Sequence, residues 1–341
     1  MHLPPLHAWS WPEPVTAIPA AGGLINQTWW VRGPRDRHAV IQRLNTDIFV
    51  PEVHHDIEAV TAHLAAKGLA TPRLLRTTAG QLWASEGGIY RALTLVGDRT
   101  VDRLDGPDRL RLAHHGARLV GQAHLALADL DLEFQSVRPG VHDTDVHFAT
   151  LRTALATHPT HRLHGRIAPL GHELAERWSS WDGPRDLPTR IIHGDLKISN
   201  LRFAGDQAIA LIDLDTWQHG TLDAELGDAM RSWCNTSGED DTEARIDVDV
   251  FAAAMKGYAE GAPGFATDAE GRGMAAGLER IALELAMRFA ADALNESYFG
   301  FDPAIGRGEH NALRAEGQLA LARAARSSRP DLDAAVAAAR A

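Results

Sequence analysis

A single cysteine, Cys234, leaves this 341-residue chain with no intrachain disulfide and no multi-cysteine zinc site, and a reduced compartment follows easily. No stretch of lysines and arginines stands out. The formal net charge of −11 argues against nonspecific binding to nucleic acid or to anionic membranes, which reward basic surfaces. No window approaches the ~20 apolar residues of a membrane span. The start, MHLPPLHAWSWPEP, lacks the basic region and continuous apolar stretch of a signal peptide. These absences predict a cytoplasmic protein without nucleic-acid or membrane partners. Neither an internal repeat nor a long linker is visible. The length nevertheless exceeds one compact core, since single cores rarely grow past ~250–300 residues, so two lobes are expected. An apolar share of 45% with 23% charged residues is ordinary for a globular chain.

Against this background, residues 191–216, IIHGDLKISNLRFAGDQAIALIDLDT, stand out. One short loop carries His193, Gly194, Asp195, Lys197 and Asn200, and an apolar run from Ala208 to Ile212 then ends in Asp213 and Asp215. Phosphoryl transfer from ATP needs a carboxylate to accept the acceptor's proton and oxygen ligands for Mg²⁺ on the phosphates. Asp195 is the candidate base and Lys197 the candidate cation for the moving group, with Asn200 and Asp213 as candidate hard-metal ligands. Asp215 suits either a second metal or a substrate hydroxyl. In the helix that follows, Asp228 is expected to bond backbone near this loop.

The segment resembles the catalytic loop H-x-D-x-K-x-x-N of eukaryotic-type kinases, in the version with glycine after the histidine that marks the aminoglycoside phosphotransferase and choline kinase superfamily. The resemblance implies an α+β, bilobal protein-kinase-like fold, with a small antiparallel-sheet N-lobe and a larger, mainly helical C-lobe. We place the nucleotide-covering lobe at 1–96 and the catalytic and substrate-binding lobe at 97–341.

The rest of the chain reads consistently. Strands are predicted at Ile25 to Val31, His38 to Leu44, Gln81 to Ala84 and Ile89 to Val96, with a helix from Val53 to Lys67. Beyond Pro107, helices are predicted at Arg109–Leu130, Val250–Glu260, Gly273–Leu294 and His310–Ser327, and Ala262 to Gly271 reads as a mobile loop. Gly22 and Gly23, followed by Asn26 and Thr28, sit where a phosphate-covering turn belongs. In kinases the next strand holds an ATP-binding lysine; here Gln42 and Arg43 occupy the place, and either could face the nucleotide, since neighbours on a strand point to opposite faces. For the usual helix carboxylate, Asp56 and Glu58 compete with a simple solvated face. His158, His161 and His164 are interrupted by Pro159, which argues against a metal site.

Several distant segments further resemble the N-acetylhexosamine 1-kinase branch: GGLINQT at 22–28, Ile41 to Asn45 with Phe49, VHDT at 141–144, IDLDT, the Gly227–Arg231 segment, Glu284 to Asp292 and His310 to Ala315. That branch carries the same Gln-Arg pair. The resemblance implies a sugar or amino-sugar acceptor, the anomeric hydroxyl included, bound by Asp215, His142, Asp143, Thr144, Arg231 and Arg288. A helix N-cap at Thr144 or Asp145 is the competing structural reading of His142 to Thr144, and a Glu284–Arg288 pair that of Arg288. The expectation is thus a kinase dependent on Mg²⁺ and ATP, of unspecified oligomeric state. An antibiotic phosphotransferase of the same fold and a nucleotide-binding pseudokinase remain as alternatives.

Overall fold

The computed structural model describes residues 3–20, 25–34, 36–137, 139–238 and 241–341. It divides into two compact units: the described residues of Met1–Thr100, Ala126–Val137 and Asn200–Gln218 form one, and those of Val101–Leu125, Arg138–Ser199 and His219–Ala341 the other. The first unit is therefore discontinuous in sequence.

Alternating burial along β-branched and aromatic residues builds the first unit's sheet. Its strands β1 (Thr16–Pro19), β2 (Gln27–Arg32), β3 (Arg37–Arg43), β6 (Ile89–Thr94) and β4 (Leu74–Leu75) pair in that order, all antiparallel, with β5 (Ala84–Ser85) also on β6. Trp29, Val31, Ala39, Ile41, Tyr90 and Ala92 pack into one core with Ala8 and Trp9 of the N-terminal segment. Helix α1 (Val53–Ala66) buries Ile57, Val60 and Leu64, the stripe expected from their spacing. A two-stranded hairpin, β8 (Leu201–Ala204) with β9 (Gln207–Leu211), completes the unit.

The second unit holds most of α2 (Arg109–Leu127), then α3 (Thr144–Thr157), α4 (His164–Ser179), the short strand β7 (Arg190–Ile192), α5 (Leu222–Trp233), α6 (Val248–Gly261), α7 (Asp268–Asn295), α8 (Arg307–Ser327) and α9 (Arg329–Arg340). Helix α7 is its axis, burying Leu283, Met287 and Phe289 among Leu151, Ile167, Leu174 and Leu319 of its neighbours. It starts at Asp268, ahead of the expected Gly273, because Thr267 and Glu270 form a reciprocal capping box inside the predicted loop. Helices α5 and α7 cross in backbone contact. A Cβ on Gly277 would lie 2.0 Å from the Asp223 carbonyl oxygen, and one on Gly227 would lie 2.4 Å from that of Gly277.

Candidate active site

In the helical unit, the loop after β7 turns through Gly194, whose φ of +77° suits glycine. Helix α5 clamps it. The buried Glu225 accepts the backbone N–H groups of His193 and Gly194 at 2.7 and 2.9 Å, and His124 lies 3.2 Å from the same carboxylate. Burial would raise the Glu225 carboxyl, but the His124 hydrogen bond and charge outweigh it and hold it below its ordinary value. One turn along, Asp228 accepts the Leu196 N–H at 3.2 Å, as its position suggested, and its other oxygen takes Arg231 at 3.0 Å. Trp233 donates its indole N–H to the Leu196 carbonyl at 2.7 Å. Three side chains of one helix thus fix the backbone on both sides of Asp195. That residue, part exposed, meets Lys197 Nζ at 3.0 Å.

In the sheet unit, the hairpin brings the two candidate metal ligands to one end. Leu201 faces Leu211, and the Ile212 N–H donates to the Asn200 carbonyl at 2.8 Å, so Asn200 and Asp213 leave paired strands side by side. Asp213 adopts the left-handed region (φ 64°, ψ 55°), which costs a residue with a Cβ about 1 kcal/mol and is concentrated at functional sites. One carboxamide and one carboxylate fit Mg²⁺, which keeps waters and shares its remaining positions with substrate phosphates. No group of three or more His, Cys, Asp or Glu able to hold a metal occurs among the described residues.

Thr28, Gln42 and Arg91 are cross-strand partners in one row of the sheet. Gln42 Oε1 accepts from Arg91 Nε at 2.9 Å and Nη2 at 2.7 Å, and its amide reaches Thr28 Oγ1 at 3.4 Å. Arg91, buried, grips Asp215 with two nitrogens, one at 2.7 Å, and Asn26 Nδ2 donates to the same carboxylate at 2.8 Å. Burial works against both charges; the Arg91 guanidinium nevertheless holds the Asp215 carboxyl below its ordinary range. Asp215 is accordingly a buried anchor with side-chain exposure of 1%, a correction to its reading as a metal or hydroxyl ligand. Arg43 lies on the opposite face and donates to the Gly87 carbonyl at 3.1 Å. Asn26 also accepts the Asn45 N–H at 2.9 Å, so both ends of its amide serve the fold. Gly22 and Gly23 lie outside the described residues.

The residue that the sequence reading missed is Arg91. Its signal was a lone charge in the apolar run IYRALTLV. Neither acid weighed in α1 meets it: Asp56 caps Gln135 and Ser136, and Glu58 pairs with Arg73 and Arg76. The α1 side chain beside this pair is His54, buried, with Nδ1 2.6 Å from the Pro51 carbonyl, so Nδ1 carries the proton. Burial, then the Arg91 charge, lower its pKa to about 4.

The residues predicted for the acceptor are mostly engaged with other parts of the fold. Glu284 takes His142 Nδ1 at 3.1 Å and the Thr144 hydroxyl at 2.9 Å. Arg280 reaches Thr144, the His142 carbonyl and Asp223. Burial opposes charge on His142, but Glu284 prevails and raises its pKa. The helix N-cap is Asp143, which accepts the Val146 N–H at 3.1 Å, ahead of both expected positions, Thr144 and Asp145. Arg288 lies over the Phe299 ring at 5.5 Å, while the two Glu284 oxygens serve His142 and Thr144 in place of the expected Arg288 pair. Asp292, in the last matched segment but one, caps the Tyr298 and Phe299 N–H groups and holds Asn311.

The sheet unit and helical unit together have the protein-kinase-like α+β architecture. The amicoumacin kinase hAmiN, solved in complex with AMP-PNP, Ca²⁺ and Ami, matches with a TM-score of 0.62 at 13% identity, over 92% of this chain and 90% of that one. A microcompartment-associated aminopropanol kinase matches with a TM-score of 0.61 at 16% identity, over 95% and 96%. Residues 16–263 match the phosphotransferase enzyme family, and the chain belongs to it. A homoserine kinase of Methylocella silvestris is 30% identical over 233 residues, 68% of this chain. The chain spans 66% of that relative's length and about half the length of further homoserine kinases that it matches.

Proposed function

We propose that the protein is an ATP- and Mg²⁺-dependent kinase that phosphorylates a hydroxyl of a small molecule. The observation that carries this reading is the clamped loop: a helix fixes the backbone around Asp195 while leaving its carboxylate part exposed beside Lys197. In this role Asp195 orients the acceptor hydroxyl and takes its proton. Lys197, already 3.0 Å from that carboxylate, neutralises charge on the transferring phosphoryl group, a role that Arg43, turned to the opposite face of the sheet and bonded to Gly87, is not placed to share. Asn200 and Asp213 would hold Mg²⁺, which when bound offsets the charge of the phosphates. The glycines at 22–23, with Asn26, Thr28 and Gln42, belong to the nucleotide side of the reading, lobe 1–96; residues 97–341 supply the catalytic and acceptor side. Catalysis would consist mainly of positioning and electrostatics.

For the acceptor, the motif series along 20–325 supports a sugar or amino sugar, with Arg231, Arg288 and the His142–Thr144 turn at its site. A second reading, a hydroxyl-bearing amino acid, is favoured by the homoserine kinase relatives and by Arg288, whose planar fork suits a carboxylate. Release of ADP from Mg·ATP across free sugars, N-acetylhexosamines, homoserine, amino alcohols, choline and aminoglycosides tests both. Saturable turnover on one class selects it. ATP binding without turnover on any of them would favour a pseudokinase.

A further inference from the structure

Two carboxylates, Asp213 and Asp215, flank Leu214 in a short 3-10 turn and have opposite surroundings. Asp213 is left-handed and part exposed, whereas Asp215 is buried with both oxygens bonded. A left-handed aspartate persists only when its surroundings over-determine it. The constraint is visible here as a chain of contacts within one unit. Thr28 bonds Gln42, Gln42 accepts two N–H groups of Arg91, Arg91 grips Asp215 with both arms, and Asn26 holds Asp215 from another side.

As a source of stability this arrangement is poor. A buried ion pair loses so much solvation that an apolar pair of similar volume often serves as well or better. Its distinctive property is directional: a two-pronged fork fixes the orientation of a carboxylate as no apolar contact can. We propose that Arg91 is a positioning residue for the metal ligand Asp213, acting through Asp215 to fix the backbone that aims the Asp213 carboxylate. The proposal rests on the kinase reading above. Burial works against the Arg91 charge, but Asp215 and, last, the Asp213 charge favour it. Groups that orient a metal ligand typically cost ~10–100-fold in metal affinity when removed.

The probe is Mn²⁺ with AMP-PNP. Free Mn²⁺ is followed by electron paramagnetic resonance, and AMP-PNP binding is measured separately in excess EDTA. The variant is Arg91→Met combined with Asp215→Leu, which fills the same space without charge, and melting curves establish folding. We expect metal-free nucleotide affinity within about threefold of the parent, and Mn²⁺ affinity in the nucleotide complex weaker by about tenfold or more. Arg91→Lys keeps the buried charge but loses the fork, so it should weaken Mn²⁺ by about threefold or more while sparing metal-free binding. It decides the matter should the double variant not fold. A folded variant that binds Mn²⁺ as the parent does, or loses both affinities equally, overturns the positioning role and leaves the kinase reading intact. A parent protein that binds neither Mn²⁺ nor AMP-PNP overturns the kinase reading itself, and this inference with it.

Discussion

Asp195 and Asp215 carry the same functional group in one motif-rich segment, and their surroundings separate them. Asp195 is part exposed beside a mobile-stemmed lysine, whereas Asp215 is locked by an arginine fork. Asp195→Asn should therefore abolish turnover while leaving ATP affinity within a few-fold, by steady-state kinetics and calorimetry; an unchanged rate would sink its role as base. His54 gives a prediction about acid. Its folded pKa, about 4, lies below the ordinary 6.5, so the unfolded chain takes up the proton first. Its contribution is complete above pH 6.5 and is lost as pH falls from 6.5 to about 4. Melting curves of His54→Gln should show a shallower decline over that window than those of the parent. At this scale the sequence was legible where residues cluster along the chain, as in 193–200. Arg91 and Asp215 meet 124 positions apart, and nothing local in either segment announces the other.

Helix α5 links scaffold to chemistry, because Glu225 and Asp228 hold the loop while Gly227 between them allows α7 to touch the backbone. Gly277→Ala would drive a methyl to 2.0 Å from the Asp223 carbonyl oxygen. We expect a loss of ~1–3 kcal/mol or more in stability by urea unfolding, with kcat falling in the protein that remains folded. A melting point and rate equal to the parent's would show that the crossing tolerates separation. Thr267→Ala, which removes the capping box of α7, should cost only ~1 kcal/mol and leave kcat intact, since that end of the helix carries none of the proposed site. Elements with a clean apolar stripe were readable to within a few residues: α1 was expected at 53–67 and spans Val53–Ala66. The start of α7 was not, because its capping signal sits among glycine and proline that read as loop. Helix α9, rich in alanine with only Leu332 and Val336 buried, offers too narrow a stripe to stand out.

For the molecule as a whole, ligand binding should appear as folding stability. If Asp213 and Asn200 hold the metal, AMP-PNP with Mg²⁺ at ~100 times its Kd should stabilise the protein by ~2.7 kcal/mol, a melting shift of a few degrees. The shift should shrink markedly in EDTA and in Asp213→Asn; an identical shift with and without metal would remove the metal from the reading. The family was legible from sequence because the catalytic segment is contiguous and its chemistry demands particular residue types. The acceptor was not, because its candidate residues are spread from 142 to 288, and only folding reveals that Thr144 and His142 spend their hydrogen bonds on Glu284.

The row Thr28–Gln42–Arg91 has a practical corollary for chemical profiling. The strands of the sheet contain no lysine, and Lys67, Lys197 and Lys256 are the only amines on side chains anywhere in the chain. If that row is the nucleotide side, as proposed above, reagents that acylate the strand lysine of kinases through an ATP-shaped carrier would find a carboxamide and a buried guanidinium there, neither of them nucleophilic. Surveys of a proteome with such reagents would pass over this protein, or mark it at Lys197 alone.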